Sequence, residues 1–351
     1  MSETAPRTSL STLQSFIQNA FVAVGMPHEE AGKAAALMAQ ADLIGQDGHG
    51  VSRLPMYIKR IQAGGLNVKP DFKIIEERAA TALIDGDNGL GHLVMQNATE
   101  LAMKKAETTG VAWVGARHSN HAGPASLYAM MPLKKDMIGL YVAVGSANHL
   151  PPWGGTEMLL STNPIAVAIP SGANPPIILD MATTVAAYGK VKTAAQRGET
   201  MPEGWMVDKD GNPLTDPSRA SEGFLLPIGG AKGYGLALIF GILAGTLNGA
   251  AFGRDVIDFN ADSKKTTNTG HFILALDIKA FADPKMFKAS IDNVWAEMKS
   301  SELMTGVSEI RLPGERLAQV TQDRTDNGIP LAPALRETLK ELAADLGIAP
   351  L

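Results

Sequence analysis

The distribution of apolar stretches along the chain is the feature that most constrains its fold. The middle of the chain carries short, nearly continuous apolar runs bounded by turn residues, which is typical of strands buried in a sheet. Both ends of the chain instead show the apolar period of helices. The pattern predicts an α/β protein whose strands, bracketed by helices, are FKIIEE, TALIDG, VAWVGAR, IGLYVAVG, PIAVAIP, PIILDM and HFILALDI.

Capping and breaking residues place the helices more closely. Ser11 or Thr12 is expected to cap a helix over residues 13–24. The Pro-, Asp- and Gly-rich stretch 200–221 is predicted to be a long loop. Further helices are predicted at HEEAGKAAALMAQADLIG, PMYIKRIQ, LVMQNATELAMKKAETTG and LAPALRETLKELAADLGI.

The composition excludes several classes of function. A chain of 351 residues is long enough for two domains, or for one domain with an added helical layer. The net charge is −5 and the 31 basic residues are scattered, which argues against a nucleic-acid surface. There is no cysteine, so disulfides, thiolate metal sites and a cysteine nucleophile are excluded.

Neither membrane insertion nor export is expected. The N-terminal stretch MSETAPRTSLSTLQSF has no basic region followed by an apolar one, so we expect a cytoplasmic protein. The most apolar segment is YGLALIFGILAGTLNGAAF at residues 234–252. Its four glycines, Thr246 and Asn248 favour a buried, closely packed helix over a membrane span.

One histidine stands in an unusual local setting. In GQDGHGVSR, His49 lies between Gly48 and Gly50, two residues after Asp47 and four before Arg53. Glycines remove side-chain bulk and allow another molecule to approach the backbone closely. This placement favours a functional role for His49.

A second polar cluster, RHSNHAG, directly follows the predicted strand VAWVGA. Its His118 and His121 allow three interpretations: a metal site, acid–base catalysis, or a polar loop that only satisfies backbone groups. The metal site is disfavoured because the chain has neither cysteine nor a helix-borne His-Glu partner. We expect no metal; acid–base work suits an imidazole near neutral pH, and for His118 alone the structural role is favoured.

An acidic residue ends the apolar strand PIILDM. A carboxylate there is unfavourable unless it has a partner. Asp180 could pair with an imidazole and fix its tautomer, or with Lys190 or Lys192, and the sequence leaves both open.

The usual nucleotide fingerprints are missing. The glycine-rich stretches GDNGLGHL and GGAKGYGLAL do not match the G-x-G-x-x-G of a Rossmann fold. Lys232 does not lie in the order that a Walker A loop requires. A nucleotide would have to be bound in another way.

Six motifs together resemble the type-2 malate/L-lactate dehydrogenase family, which also includes ureidoglycolate, sulfolactate and diketogulonate enzymes and cyclic-imine reductases. The resemblance spans about residues 10 to 345. The motifs are in the family's order: GQDGHGVSRLPMY, ARHSNHAGPASLY, STNPIAVAIP, LDMATTVAAYGK, GGAKGYGLAL and RLPGER.

The resemblance implies a fold and an activity. It implies an NAD(H)- or NADP(H)-binding α/β domain over 71–309, non-Rossmann, with a largely antiparallel mixed sheet. A helical, substrate- and dimer-facing part would be built from both chain ends, 1–70 and 310–351. The expected activity is hydride transfer between the coenzyme and a small 2-hydroxy acid, in a homodimer.

The resemblance also implies roles for particular residues. His121 or His49, the latter relayed to Asp180, would exchange the proton, and Arg53 would hold the substrate carboxylate as a bidentate fork. Tyr57 and Asn163 would lie beside the substrate. Coenzyme contacts would fall on His121, Gly123, Ser146, Asp180, Met181, Ala182, Lys232, Pro313, Gly314 and Glu315.

Two departures from the family's motifs bear on the substrate. Most members have serine where this chain has Gly48, so a serine–histidine–aspartate relay cannot operate here; Asp47 or Ser52 would have to orient His49 instead. Ala122 stands where an aromatic residue is usual and would enlarge the pocket. A cyclic-imine carboxylate reductase and a catalytically silent binding relative therefore stand beside the 2-hydroxy acid dehydrogenase as alternatives.

Overall fold

The computed structural model describes residues 6–351; residues 1–5, with which the predicted segment 1–70 begins, lie outside the described residues. Helices dominate both chain ends and strands the middle, as predicted. The helices are α1 (Leu10–Ala23), α2 (His28–Leu43), α3 (Leu54–Gln62), α4 (Gly91–Thr109), α5 (Ser126–Met130), α6 (Tyr188–Arg197), α7 (Ala231–Ala244), α8 (Pro284–Lys299), α9 (Glu315–Asn327) and α10 (Pro333–Leu346). The strands are β1 (Arg7–Thr8), β2 (Lys73–Glu77), β3 (Thr81–Asp85), β4 (Val111–Ser119), β5 (Met137–Ala143), β6 (Asn148–Leu150), β7 (Leu160–Ser161), β8 (Ile165–Ile169), β9 (Ile177–Met181), β10 (Met206–Asp208), β11 (Gly223–Leu225), β12 (Thr269–Asp277) and β13 (Ile329–Pro330).

A seven-stranded mixed sheet forms the centre, in the order β2-β3-β4-β12-β5-β8-β9. Only β3 and β4 run parallel; every other neighbouring pair is antiparallel. A Rossmann fold needs consecutive parallel strands joined by crossover helices. The prediction of a non-Rossmann, largely antiparallel mixed sheet is therefore confirmed.

Two hydrophobic clusters hold the chain together. One joins the sheet to α4, and its side chains come mainly from α4, β4, β5 and β12. The other joins α1, α2, α3 and α10, so it is built from both ends of the chain. Pairing of β1 with β13 also ties the two ends together. Leu90, Leu93 and Phe259 belong to this second cluster, which packs the helical layer against the sheet region. The division into 1–70 with 310–351 and 71–309 stays a prediction.

Several local predictions are wrong in detail. The cap of α1 is Ser9, whose side chain accepts the N–H of Thr12, so Ser11 and Thr12 lie inside the helix. The predicted loop 200–221 contains β10. Helices α6, α8 and α9 were not predicted, because their polar residues mask the apolar period.

The apolar segment 234–252 is also less buried than predicted. Helix α7 ends at Ala244. Ile239 on this helix is 56% exposed, and Leu247, just beyond it, is 61% exposed. Between residues 6 and 351, no helix is both long enough and apolar enough to cross a membrane.

Candidate active site

The turn between α2 and α3 carries His49 and Arg53. Gly45 begins it at φ +83°, a left-handed conformation that favours glycine. A 3₁₀ turn over Val51–Arg53 then leads into α3, where Pro55 occupies one of the first two positions. Residues 49, 53 and 57 have helical spacing, but Pro55 does not allow one continuous helix through all three. The 3₁₀ turn before α3 therefore separates His49 and Arg53 from Tyr57 on the helix.

Gly50 is required by a close approach to a buried carboxyl group. Asp42, 2% exposed at the end of α2, accepts the N–H of Val51 at 2.7 Å. A Cβ on Gly50 would lie 2.2 Å from Oδ1 of Asp42, whereas a Cβ on Gly48 would meet nothing within 4 Å. Desolvation raises the pKa of Asp42 to about 8. The neutral acid and Gly50 together fix the backbone next to His49.

Helix α9 clamps the same turn. Arg324, 5% exposed, donates to the backbone oxygen of Asp42 and to both carboxylate oxygens of Asp47. Ser52 donates its hydroxyl to the backbone oxygen of Asp47 at 2.6 Å. The expectation that Asp47 or Ser52 orients His49 is therefore wrong, because both make other contacts.

His49 instead pairs with His121, on the loop after β4. Nδ1 of His49 lies 3.2 Å from Nε2 of His121, and the two rings stack with centroids 5.3 Å apart. The hydroxyl of Tyr57 contacts Nδ1 of His121, which also accepts the N–H of Gly123 at 3.4 Å. Both nitrogens of His121 are thus engaged by the protein, while the structure gives Nε2 of His49 no partner within residues 6–351.

Both imidazoles are neutral at pH 7. Desolvation, reinforced by the charge of Arg53, lowers the pKa of His49 to about 4. Desolvation and the neighbouring His49 hold the pKa of His121 well below its usual range. Neutral imidazoles are proton acceptors. By contrast, His118 pairs with Asp85 at 2.8 Å, in keeping with the structural role favoured for it.

Arg53 lies beside this pair with a partly used guanidinium group. Its Nε donates to the backbone oxygen of Gly48 at 2.9 Å and its Nη1 to Oδ1 of Asn260 at 3.0 Å. A guanidinium has five N–H donors. Arg53 lines the cavity, and in the described part of the chain no carboxylate lies within 4.0 Å of it, so its guanidinium group has no ion-pair partner there.

Asp180, at the end of β9, lines the same cavity. Its hydrogen-bond partner is neither an imidazole nor a lysine, the two kinds of partner expected from the sequence. It accepts the backbone N–H of Ser126, at the start of α5, at 3.0 Å. Within the described chain it contacts neither an imidazole nor Lys190 or Lys192, so the predicted pairings are not formed. Desolvation raises its pKa, opposed by the donors of Ser126.

The cavity shared by these groups has a volume of about 1060 Å³. Its lining includes His49, Arg53, His121 and Asp180, together with residues of α6. A second cavity of about 80 Å³ lies behind the histidine pair and is lined by Ala122, Tyr141 and His271 among others. A dinucleotide and a small acid fit together in a space of the larger size, because single-ligand pockets are typically about 300–1,000 Å³.

The other predicted site residues divide into two groups. Gly123, Ser146, Met181 and Ala182 line the large cavity. Asn163 does not: it is fully buried, with Oδ1 accepting the N–H of Gly145 and Nδ2 donating to Ala237, so its polar atoms are used within the fold. Further residues outside the lining are Tyr57, Lys232, Pro313, Gly314 and Glu315.

The predicted coenzyme contacts Pro313–Glu315 have a visible structural role. The oxygen of Pro313 accepts the N–H of Ile178, and Gly314 stands at φ +91° against the same residue. Glu315 pairs with Lys299 at 2.6 Å. This segment therefore packs along β9 at Ile178, two residues before Asp180, and does not line the cavity.

Sequence reasoning missed three residues near the site. Asn260 bonds to Arg53 from a loop that precedes β12, and nothing in its local sequence marks it. Arg60 is fully buried, and His92, also fully buried, has no hydrogen-bond partner within residues 6–351 for either ring nitrogen. The position of Arg60 on the apolar side of the PMYIKRIQ helix was the one available signal, because a charged residue there needs buried acceptors.

Comparisons with known proteins identify the family of the chain. A sequence model described as malate/L-lactate dehydrogenase matches residues 8–340. The L-sulfolactate dehydrogenase of Methanocaldococcus jannaschii is 41% identical over 324 residues, 92% of each chain. Its solved structure aligns with a TM-score of 0.90, at 39% identity, over 98% of both chains. The malate dehydrogenase of Pyrococcus horikoshii is 38% identical over 350 residues, 97% of this chain and 96% of that one.

The chain therefore belongs to the malate/L-lactate dehydrogenase family, and the predicted resemblance is confirmed. Two relatives have a coenzyme in their names, and the two coenzymes differ. A ureidoglycolate dehydrogenase (NAD(+)) of Escherichia coli is 33% identical over 88% of each chain. A (2R)-3-sulfolactate dehydrogenase (NADP(+)) of Chromohalobacter salexigens is 30% identical over 95% of this chain and 97% of that one. The predicted class, a nicotinamide-dependent hydroxy-acid dehydrogenase, is confirmed.

Proposed function

We propose that this enzyme interconverts a small 2-hydroxy acid, of the malate, lactate or sulfolactate kind, and its 2-oxo acid with NAD or NADP. Arg53 holds the substrate carboxylate, and the His49–His121 pair exchanges the hydroxyl proton. The coenzyme, when bound, accepts the hydride from the hydroxyl-bearing carbon or returns it to the carbonyl carbon.

The observation that carries this proposal is the state of Arg53. A partly buried guanidinium without a carboxylate partner is unfavourable, and an incoming carboxylate relieves that cost. Its three donors beyond those used by Gly48 and Asn260 allow a two-point contact that fixes the orientation of the substrate. The adjacent hydroxyl or carbonyl oxygen then lies towards the histidine pair, which lines the same cavity.

The electrostatics of the pair suit proton removal from the alcohol. Both imidazoles are neutral and both nitrogens of His121 are engaged, so Nε2 of His49 is the atom that meets the hydroxyl. It accepts the proton in the tautomer in which Nδ1 of His49 carries the hydrogen of the contact with His121. The resulting positive charge is shared across the 3.2 Å contact between the rings and stabilised by the substrate carboxylate. In the reverse direction the protonated pair donates to the oxygen of the 2-oxo acid as negative charge develops there.

The α6 residues that line the cavity fit a nucleotide. Lys190, Lys192 and Arg197 of α6 line it. Within residues 6–351 no carboxylate lies within 4.0 Å of either lysine, and their ammonium groups rest over aromatic rings, Lys190 at 5.9 Å from Trp205 and Lys192 at 5.7 Å from Tyr188. These cations retain their charge for phosphate groups. Ser146, Met181 and Ala182, which line the same cavity, would contact the rest of the coenzyme.

The decisive test is a substrate panel. Oxidation of NADH and NADPH is followed at 340 nm with 2-oxo acids that differ in the group beyond the carbonyl, for the wild type and for His49→Ala, His121→Ala and Arg53→Lys. We expect turnover that either histidine variant abolishes or reduces by at least about a hundredfold, the lower end of the range for a general acid–base group. Full turnover in both histidine variants would contradict the assigned proton exchange.

A cyclic imine carboxylate is the second candidate substrate. Ala122 lines the small cavity behind the histidine pair, where a larger side chain would fill the space. A relative of known structure, the delta1-piperideine-2-carboxylate reductase of Pseudomonas syringae, is 29% identical with a TM-score of 0.86 over 96% of this chain and all of that one. Cyclic imines in the same panel separate the two: reduction of an imine without turnover of any 2-oxo acid favours this candidate.

A homodimer is the proposed assembly. Leu236, Ile239 and Ile242 place 37–56% of their surface on the outside of α7, and Leu247 follows with 61%. Exposed apolar surface of this kind is typical of protein–protein contacts. Sedimentation equilibrium of the wild type and of Ile239→Glu tests it, since a buried charge at the contact would shift the dimer towards monomer.

A further inference from the structure

Arg53 is effective only if its guanidinium group is held in place, and one segment outside α3 does this. The segment is residues 258–265, between the 3₁₀ turn Gly253–Asp255 and β12. It has no regular secondary structure, and Asn260 is its one residue that lines the large cavity.

The side chain of Arg60 holds this segment through hydrogen bonds to its backbone oxygens. Its Nη1 donates to the backbone oxygens of Phe259 and Asp262, and its Nη2 donates to Lys265 at 2.6 Å. The guanidinium group also lies 4.5 Å from the ring centroid of Phe259. The hydrogen bonds that this fully buried arginine donates from its side chain all go to backbone oxygens, so its role is to hold these carbonyls together.

Other contacts make the segment rigid. Asp258 accepts the N–H groups of Asn260 and Ala261 at 2.8 and 3.2 Å. A Cβ on Gly65 would lie 2.2 Å from the backbone oxygen of Ser263, so the segment packs directly on the chain after α3. An irregular segment with this many fixed groups presents a side chain as precisely as a strand does.

We propose that Asn260 is the positioning residue of the substrate-binding arginine, and that Arg60 acts through it. Oδ1 of Asn260 accepts a hydrogen bond from Nη1 of Arg53, and the backbone oxygen of Gly48 accepts one from Nε. These two contacts fix the plane of the guanidinium group. The remaining donors then point to one place in the cavity. The amide is neutral, so it orients the cation without competing with the substrate carboxylate for its charge.

This inference rests on the proposed function, and its test uses binding rather than turnover. Oxamate, with a carboxylate beside an amide carbonyl, is titrated calorimetrically into the wild type saturated with coenzyme. The variants are Asn260→Ala, Asn260→Asp and Lys264→Ala, the last as a control in the same segment whose side chain is exposed. Coenzyme affinity and the thermal unfolding midpoint are measured for each.

We expect Asn260→Ala to raise the Kd of oxamate about tenfold, the range for one hydrogen bond to a charged group. Asn260→Asp is nearly isosteric but should weaken binding more than alanine does, because its carboxylate pairs with Arg53 and repels the ligand. A purely structural role would give the opposite order. Coenzyme affinity should stay within twofold, and Lys264→Ala should resemble the wild type.

Turnover supplies a second readout. With a substrate from the panel, Asn260→Ala should raise KM while kcat changes less than threefold, because the histidine pair is untouched. Arg60→Lys should reproduce this KM effect if it remains folded, since it loosens the segment that carries Asn260. Oxamate affinities of both Asn260 variants equal to that of the wild type would overturn the inference alone. No oxamate binding by the wild type itself would overturn the proposed function and this inference with it.

Discussion

The two glycines that flank His49 differ sharply in the cost of a side chain. We expect Gly50→Ala to destabilise the protein strongly and Gly48→Ala to leave it nearly unchanged. The new Cβ at residue 50 would lie 2.2 Å from the carboxyl group of Asp42, which is 2% exposed and cannot swing into solvent. Displacing it removes the 2.7 Å acceptor of the Val51 N–H.

The magnitude follows from two contributions. A buried N–H left without an acceptor costs about 1–3 kcal/mol, and overpacking a close-packed site costs about 1–3 kcal/mol. We therefore expect Gly50→Ala to lower the free energy of unfolding by about 2–6 kcal/mol. Gly48→Ala meets nothing within 4 Å at an unexceptional φ, so it should lie within about 1 kcal/mol of the wild type and can be stabilising.

Urea unfolding followed by circular dichroism measures both variants, and a double-mutant cycle identifies the cause. In an Asp42→Ala background the obstructing carboxyl group is gone, so Gly50→Ala should cost less than about 0.5 kcal/mol. An equal cost of Gly50→Ala in the two backgrounds would refute the close-contact argument. So would equal stability of Gly50→Ala and Gly48→Ala.

Three further predictions concern charge. His92 is neutral in the folded protein, with its pKa lowered to about 3 by desolvation, so unfolding takes up a proton below about pH 6.5 and stability is lost as the pH falls. His92→Leu should reduce the loss of stability between pH 7 and pH 5 by about 2 kcal/mol, measured by urea unfolding at both pH values; an unchanged loss would show that His92 is not the responsible group. Arg53→Lys should raise the KM of a 2-oxo acid by at least about tenfold with unchanged coenzyme affinity, because lysine cannot form the two-point contact; an unchanged KM would contradict that contact. Lys192→Met should raise the Kd of NADPH about fivefold in a fluorescence titration at low salt, and less at high salt, whereas a salt-independent Kd would place the phosphates elsewhere.

The sequence predicted most of the sheet and the general location of the site, because the signals for both lie in short stretches of neighbouring residues. The strands VAWVGAR, IGLYVAVG and HFILALDI are buried on both faces, so their apolar runs stand out without any knowledge of their partners. The turn after α2 was recognisable because glycines around a histidine have few structural explanations. Helices α6, α8 and α9 were missed because their exposed faces dilute the apolar period.

The supporting contacts of the site could not be predicted, because they join residues distant in sequence. In the sequence, Asp42 is an acid at the end of a helix, Arg324 a cation on a polar helix and Asn260 a residue in a loop. Each acquires its role from a partner that lies between 8 and 282 positions away. The partners that the sequence left open for Asp180, an imidazole or a lysine, were wrong for the same reason, since Asp180 accepts the N–H of Ser126 instead. Motifs thus indicate which groups meet the substrate, whereas the groups that orient them have no pattern of their own and depend on the packing of α9 and the 258–265 segment against one short turn. A substitution in those supporting groups should therefore alter substrate affinity without changing any residue that a motif contains.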